Sequence, residues 1–121
     1  MTANTVASRK SKGRRFQQWI ADRIGKLLNL PAGKDLDVES RPMSQTGTDI
    51  RLSEKAKCLF KFDVEAKNSE SINVWKAVEQ AQSNQSEGCD WLVFLKKNGK
   101  QPIVVMDSNT FFKLMEKILN L

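Results

Sequence analysis

The chain is 121 residues long and carries 20 Lys and Arg against 14 Asp and Glu, a net charge of +6, which predicts a single small domain with one core. It contains no His and no Tyr, and its only cysteines are Cys58 and Cys89. These absences exclude a Ser-His-Asp triad, an HNH-type or GIY-YIG nuclease, a tyrosine recombinase and a structural zinc site. Any enzymatic chemistry must therefore use carboxylates, Lys, Ser, Thr or a bound metal.

Hydropathy and cysteine usage predict a cytoplasmic protein. No stretch approaches the roughly 18 apolar residues of a membrane helix, and the N-terminus lacks the apolar segment of a signal peptide. We therefore expect no membrane association. The two thiols are expected to be reduced and buried as small hydrophobic side chains.

Positive charge is concentrated near the N-terminus, where the first fifteen residues contain no acid. The cations of this segment are Arg9, Lys10, Lys12, Arg14 and Arg15. Such a cluster suits the phosphate backbone of a nucleic acid, because neutralised phosphates release condensed counterions. The alternative is a solvated terminus that only aids solubility. We expect residues 1–10 to form a flexible basic arm and residues 11–121 to form the folded domain.

Residue patterning predicts one helix and three strands in the first half of the domain. Apolar residues recur at helical spacing over residues 11–29, and a Pro and a Gly end this amphipathic helix. Alternating apolar and polar residues predict strands over 36–40 and 48–52. Residues 53–57 are expected to form a turn or one helical turn, and residues 58–67 to form a central strand.

The second half is predicted to contain two helices and two strands. A helix is expected over residues 73–86, and a buried strand over 91–95. Asn98-Gly99 is a strong hairpin signal and leads into a strand over 103–106. The resulting order, α-β-β-β-α-β-β-α, predicts an α/β fold with a central mixed five-stranded sheet flanked by helices.

The last helix is unusually rich in apolar residues. Ser108 or Asn109 can cap it, and six residues are expected to pack inward: Phe111, Phe112, Leu114, Met115, Ile118 and Leu119. One helix of so small a domain need not bury them all, so the remaining apolar face is a candidate dimer interface. The tryptophans Trp19, Trp75 and Trp91 are expected in the core or in an interface.

Three charged residues indicate where chemistry could occur. Glu65 and Lys67 alternate along the strand predicted over 58–67, so both side chains project from one face. Burial of an unpaired charge is costly, so these side chains must face solvent, pair with each other or bind something. Asp49 lies on the preceding predicted strand. If those strands are neighbours, Asp49 and Glu65 meet at the edge of the sheet.

Two carboxylates that meet in this way repel each other, and a divalent cation resolves the repulsion. Mg²⁺ suits this position, because it takes few protein oxygens and keeps several waters for phosphate substrates. Lys67 beside it could hold or polarise an attacking water and stabilise developing negative charge. Such a set hydrolyses a phosphodiester without His.

These residues resemble the PD-(D/E)xK nuclease superfamily, and most closely its small phage-type members related to Holliday junction resolvases. The match consists of Gly47-Thr48-Asp49-Ile50, then Val64-Glu65-Ala66-Lys67-Asn68, between two amphipathic helices. Its further elements are the basic helix start Ser11-Lys12-Gly13-Arg14-Arg15, then Trp75 and Glu79-Gln80-Ala81 after the second acid. The resemblance covers residues 11–95.

The resemblance implies a restriction-endonuclease-like fold and metal-dependent cleavage that leaves 5′-phosphate and 3′-hydroxyl ends. It implies that Asp49 and Glu65 bind Mg²⁺, for which Mn²⁺ can substitute, with the main-chain carbonyl of Ala66 as a third ligand. Lys67 would orient the attacking water. Gln80 on the second helix is a candidate to reach toward the site and the DNA.

Two positions depart from the family pattern. Many junction resolvases have Glu on the first helix where this chain has Gln17, a neutral group that could bind metal or a metal-bound water. Weaker binding of a second metal follows, which favours a one-metal mechanism. Thr48 stands where the loose family motif has Pro, at a position that varies widely in the superfamily.

The leading hypothesis is a Mg²⁺-dependent, structure-selective DNA endonuclease of the phage Holliday junction resolvase type, active in DNA recombination as a homodimer. A second hypothesis keeps the chemistry and changes the substrate to linear duplex or single-stranded DNA. A third is a DNA-binding module that keeps the fold without catalysis, which Gln17 in place of an acid favours.

Overall fold

A computed structural model describes residues 5–42 and 47–121 of the chain. Helix α1 spans Val6–Leu28. The side chain of Thr5 accepts a hydrogen bond from the backbone N–H of Ser8 and begins the helix, and Asn29 in the left-handed conformation ends it. The helix starts five residues earlier than expected, so Arg9 and Lys10 lie on α1 and not in a flexible arm before it.

A short antiparallel pair follows, formed by β1 (Val38–Ser40) and β2 (Ile50–Leu52). Helix α2 (Glu54–Leu59) comes next. Ser53 caps it by accepting a hydrogen bond from the Ala56 N–H at 3.2 Å. The turn or single helical turn expected over residues 53–57 is therefore a short helix. Cys58 and Leu59, expected at the start of the following strand, belong to this helix.

The second sheet has three strands. Strand β3 (Phe62–Asn68) runs parallel to β4 (Asp90–Lys96), and β4 runs antiparallel to β5 (Ile103–Met106). Helix α3 (Val74–Ser83) forms the crossover between the parallel strands, as parallel pairing requires. The chain is an α/β domain, as expected.

The five strands lie in two sheets, and not in the single five-stranded sheet that the sequence predicted. The physical reason lies at Asp49. Its backbone N–H donates to the Val64 carbonyl at 3.0 Å, as in a sheet, but its side chain then takes the next partner, the Ala66 N–H, at 2.8 Å. A carboxylate occupies the position that a backbone carbonyl would need to continue the ladder.

Apolar packing covers both faces of the three-stranded sheet. One face packs against the apolar side of α1, where Phe16, Ile20 and Ile24 are buried with Val64 and Leu92. The opposite face packs against α3 in a second cluster: Ala77, Val78, Ala81, Trp91, Val93 and Leu95. Because side chains alternate along a strand, this second face also carries Glu65.

The last helix, α4, spans Ser108–Leu119, and Asp107 is its N-cap rather than Ser108 or Asn109. The expected inward packing of its six apolar residues is wrong for four of them, whereas the other two are half-buried. The exposed four are Phe111, Phe112, Ile118 and Leu119, and the half-buried two are Leu114 and Met115. Amphipathic spacing shows that a helix has an apolar face, but it does not show that the same domain covers that face.

The burial predictions for the tryptophans and cysteines hold for two of five residues. Trp91 and Cys89 are buried, as expected. Trp19, Trp75 and Cys58 are exposed, so a place in the core is wrong for these three. No helix within residues 5–42 and 47–121 combines the length and the apolar character needed to cross a membrane.

Candidate active site

Three charged side chains share the face of β3 that α3 covers, in the order Asp63, Glu65 and Lys67. Asp63 is buried and fully engaged: its Oδ2 accepts from the Ser86 N–H at 2.6 Å and from the Ser86 hydroxyl at 2.7 Å. The Lys57 ammonium lies 4.0 Å from its other oxygen. Asp63 therefore fixes the loop after α3.

Glu65 is buried more deeply, with 1% of its surface exposed, and is less well satisfied. Its Oε1 accepts a hydrogen bond from Asn84 Nδ2 at 2.9 Å. Its Oε2 is buried and accepts no hydrogen bond from a donor of the described residues. A buried oxygen in this condition costs free energy unless something else binds it. Besides burial, a hydrogen bond shared with the Asp49 carboxyl, which needs one of the two groups to be protonated, is among the causes that raise the pKa of Glu65.

The environment of Glu65 disfavours its charge. Burial, and next the neighbouring Asp49 carboxylate, raises the pKa of Glu65 to about 7, against the opposing effects of the Asn84 hydrogen bond and the Lys67 ammonium. A carboxylate with a raised pKa beside a second carboxylate is an arrangement that marks many functional sites.

Asp49 is held against the free edge of β3. Its backbone carbonyl accepts from the Arg41 N–H at 2.7 Å, and its Oδ2 accepts from the Ala66 N–H. The N–H and the carbonyl of one strand residue point to the same side, so the Ala66 carbonyl points toward the edge at which Asp49 lies. The structure thus brings Asp49 and the Ala66 carbonyl to one edge, with Glu65 adjacent in the strand.

A cleft of about 530 Å³ opens at this edge, between α1, β3 and the C-terminal end of α3. The predicted site residues that line it are Asp49, Ala66, Lys67, Gln17, Gln80, Arg9 and Lys10. Gln17 is 2% exposed and reaches the cleft from α1. Glu65 lies behind the lining, next to Asp49, Ala66 and Lys67.

The remaining predicted cations lie elsewhere on α1. Lys12 and Arg15 line a second cavity, and Arg14 lines a third surface on the β1 side of the helix. The basic segment therefore presents charge in several directions, and only Arg9 and Lys10 of its five cations line the cleft with Asp49.

Two amides at the site had no role assigned from the sequence: Asn84, which was not singled out, and Asn68, which was quoted only as part of the motif after Glu65. Asn84 follows α3 and donates to Glu65 and, at 3.4 Å, to the Gly47 carbonyl, so it joins the two acidic segments. Asn68 ends β3 and donates from Nδ2 to the Lys12 carbonyl at 3.4 Å. Asn84 falls within the helix predicted over 73–86, where a polar residue is ordinary, so no signal in the sequence marks it.

The donor set at the cleft fits a small hard cation. It combines two carboxylates, a main-chain carbonyl and the Gln17 amide, which are oxygen ligands of the kind that Mg²⁺ takes while keeping several waters. Glu65 Oε2 supplies a buried oxygen in need of a partner. Only two carboxylates belong to this set, since among the described residues no group of three or more His, Cys, Asp or Glu side chains is placed to hold a metal ion. The Ala66 carbonyl, the Gln17 amide and water would have to supply the other ligands.

Comparison with protein-family models, with curated proteins and with solved structures finds no match to this chain. The chemistry of the cleft is therefore interpreted from its own residues.

Proposed function

We propose that this chain is a metal-dependent DNA endonuclease with a restriction-endonuclease-like, PD-(D/E)xK type of site. The observation that carries the proposal is the buried Glu65 carboxylate, which lies beside Asp49 with one oxygen unpartnered among the described residues. A structural acid is expected to resemble Asp63, with each oxygen engaged by the protein.

The divalent metal would be held by Asp49, Glu65 and the Ala66 carbonyl. When bound, Mg²⁺ supplies an activated water and neutralises charge on a phosphodiester. Asn84 is a positioning residue, because its amide holds Glu65 Oε1 and fixes which oxygen remains available. Gln17 adds a neutral amide, so one tightly bound metal is expected.

The cations of the cleft act on the substrate. Lys67 lines the cleft two residues after Glu65, where its ammonium can hold the attacking water and stabilise negative charge that develops on phosphate. Arg9 and Lys10 on α1 line the same cleft and suit the DNA backbone. Gln80 on α3 lines the opposite wall and can donate to a phosphate or a sugar.

We further propose a four-way DNA junction as the substrate and a symmetric homodimer as the active form. The exposed apolar face of α4, with Phe112 62% and Ile118 70% exposed, supports the dimer, because an apolar patch of this kind marks interaction surfaces. Two symmetric cuts across a junction need two sites at a fixed separation, which twofold symmetry supplies.

Cleavage of a labelled four-way junction, compared with a linear duplex built from the same arms, tests the proposal. We expect breaks only with Mg²⁺ or Mn²⁺, faster on the junction, as paired symmetric cuts. Asp49→Asn should reduce cleavage by about 10²-fold or more while binding in Ca²⁺ persists. Asp22→Asn, which changes an exposed acid of α1 outside the cleft, is the matched control.

The outcomes of this experiment test the role of Asp49, the nuclease activity and the preference for a junction separately. Equal rates for Asp49→Asn and the wild type would remove Asp49 from the chemistry. Binding without any metal-stimulated strand break in the wild type would favour the DNA-binding module over the nuclease. Equal cleavage of both substrates would retain the nuclease and reject the junction as its preferred substrate.

A further inference from the structure

A second cavity, of about 450 Å³, lies next to the cleft between α1 and the turn that joins β4 to β5. We call it the flank pocket. Asn68 lines both the flank pocket and the cleft, so the two are adjacent. The side chains that define the flank pocket are Lys12, Arg15, Phe16, Trp19, Lys96 and Lys100.

The polar side of the flank pocket is strongly cationic. Four Lys and Arg residues line it, and no Asp or Glu does so among the described residues. The Lys96 ammonium donates to the Lys100 carbonyl at 3.1 Å, which holds its charge over the turn. Glu70 lies outside the lining, pairs with Lys12 at 3.7 Å and accepts the Asn98 N–H at 2.7 Å, so it ties the turn to β3. This surplus of positive charge favours an anionic ligand.

The other side of the flank pocket is aromatic. The rings of Phe16 and Trp19 stack with centroids 6.0 Å apart, and Trp19 remains 40% exposed. The Arg23 guanidinium lies 5.2 Å from the Trp19 ring and helps to fix its orientation. Pro102 adds a further apolar surface. An aromatic wall beside a cationic wall fits a nucleotide, whose base and sugar are flat or apolar and whose phosphate is anionic.

We propose that the flank pocket binds one unpaired nucleotide of the DNA strand, next to the phosphodiester held in the cleft. This inference rests on the proposed nuclease function and deepens it, because it names what the enzyme selects. A base stacked and paired within a continuous duplex cannot enter a concave pocket, whereas a nucleotide at a branch, bulge or nick has already lost part of its stacking. The phosphate would contact Lys96 and Lys100, and the base or sugar would contact the exposed part of Trp19, which the buried Phe16 ring supports from the core.

Fluorescence anisotropy with two labelled DNAs in Ca²⁺ tests this proposal, a perfect duplex and the same duplex with one unpaired nucleotide. We expect the wild type to bind the second DNA about tenfold more tightly, which corresponds to one base–aromatic contact. Trp19→Ala should abolish that preference. Trp75→Ala, which removes an exposed tryptophan of α3 outside the pocket, should keep it.

A charge variant provides an independent arm in case Trp19→Ala fails to fold, which a melting curve would reveal. Lys96→Gln/Lys100→Gln should lower the slope of log Kd against log salt by about 1 for each lost phosphate contact. Lys113→Gln/Lys117→Gln on α4 removes the same charge away from the pocket and should leave the slope nearly unchanged.

The two proposals fail separately. If the wild type cleaves with Mg²⁺ but shows no preference for the unpaired nucleotide, the flank pocket proposal is overturned and the nuclease stands. An unchanged preference in Trp19→Ala, or equal salt slopes in the two charge variants, would also overturn it. Absence of metal-dependent cleavage together with a preference that Trp19→Ala abolishes would reject the nuclease and retain the pocket.

Discussion

Asp63 and Glu65 are two buried carboxylates on one face of one strand, and they differ in how fully their oxygens are hydrogen-bonded. Asp63 accepts two hydrogen bonds from Ser86 and lies near the Lys57 ammonium. Glu65 accepts one hydrogen bond, faces a second carboxylate and leaves Oε2 without a partner among the described residues. Burial alone therefore does not distinguish Asp63, a structural acid, from Glu65, the proposed metal ligand. The completeness of the hydrogen bonding around each oxygen does.

The largest expected difference between the two acids is in cleavage. Changing Glu65→Gln removes the charge that would bind metal, and we expect the cleavage rate to fall about 10²–10³-fold. The matched change Asp63→Asn keeps a carbonyl oxygen for Ser86 and should leave the rate per folded molecule within about threefold. Single-turnover cleavage at saturating Mg²⁺ measures both rates. If the two variants lose activity equally, the distinction drawn here between the two acids is wrong.

The next difference is in the pH dependence of stability without metal. Because the pKa of Glu65 is raised from 4.5 to about 7, the folded chain binds more protons than the unfolded chain between these values, and its stability falls as pH rises through that window. The Glu65→Gln variant lacks this loss. Its stability relative to the wild type should therefore rise by about 3 kcal/mol between pH 4.5 and pH 8.

Urea denaturation in EDTA at a series of pH values measures that difference. The Asp63→Asn variant, measured under the same conditions, is the comparison for the loss of a buried carboxyl from the same face of β3. If Asp49 and Glu65 hold Mg²⁺ as proposed, its addition above pH 7 should restore stability to the wild type, because a ligand that binds only the folded state stabilises that state. A pH-independent difference for Glu65→Gln would show that the Glu65 carboxyl is better solvated than its burial implies.

The smallest effect concerns Asp63 itself. Asp63→Ala leaves the Ser86 N–H and hydroxyl without their acceptor, which should lower the free energy of unfolding by about 1–3 kcal/mol. Glu87→Ala, an exposed acid of the same loop, should change stability by less than about 0.5 kcal/mol. Urea denaturation at neutral pH compares the two. A loss in Glu87→Ala as large as that in Asp63→Ala would assign the effect to loop charge and not to hydrogen bonding.

Local patterning predicted much of the secondary structure. The strand expected over 103–106 coincides with β5, and the helix expected over 73–86 contains α3. Cys58 and Leu59 were misplaced because a short apolar run fits a strand or a helix equally. In the structure the Ser53 side chain caps α2, and Cys58 and Leu59 continue this helix.

The division into two sheets and the role of Asn84 depend on tertiary contacts, which residue patterns do not predict. Alternation along one strand predicted that Glu65 and Lys67 share a face. The prediction that Asp49 lies on a strand next to theirs was wrong, because Asp49 precedes β2 and β2 belongs to a separate sheet. The division into two sheets depends on one side-chain hydrogen bond, from the Ala66 N–H to Asp49, which no residue pattern encodes. Asn84 meets Glu65 across 19 positions of sequence, and its contribution appears only in three dimensions.

The hydrogen bond between Asp49 and Ala66 has a consequence for how the molecule is assembled. An open strand edge invites pairing with another chain, and here an acidic side chain closes part of that edge. The carboxylate that shields β3 from unwanted association is also the one that would hold the metal. Closure of the edge and assembly of the proposed site therefore depend on the same contact, the hydrogen bond from the Ala66 N–H to Asp49.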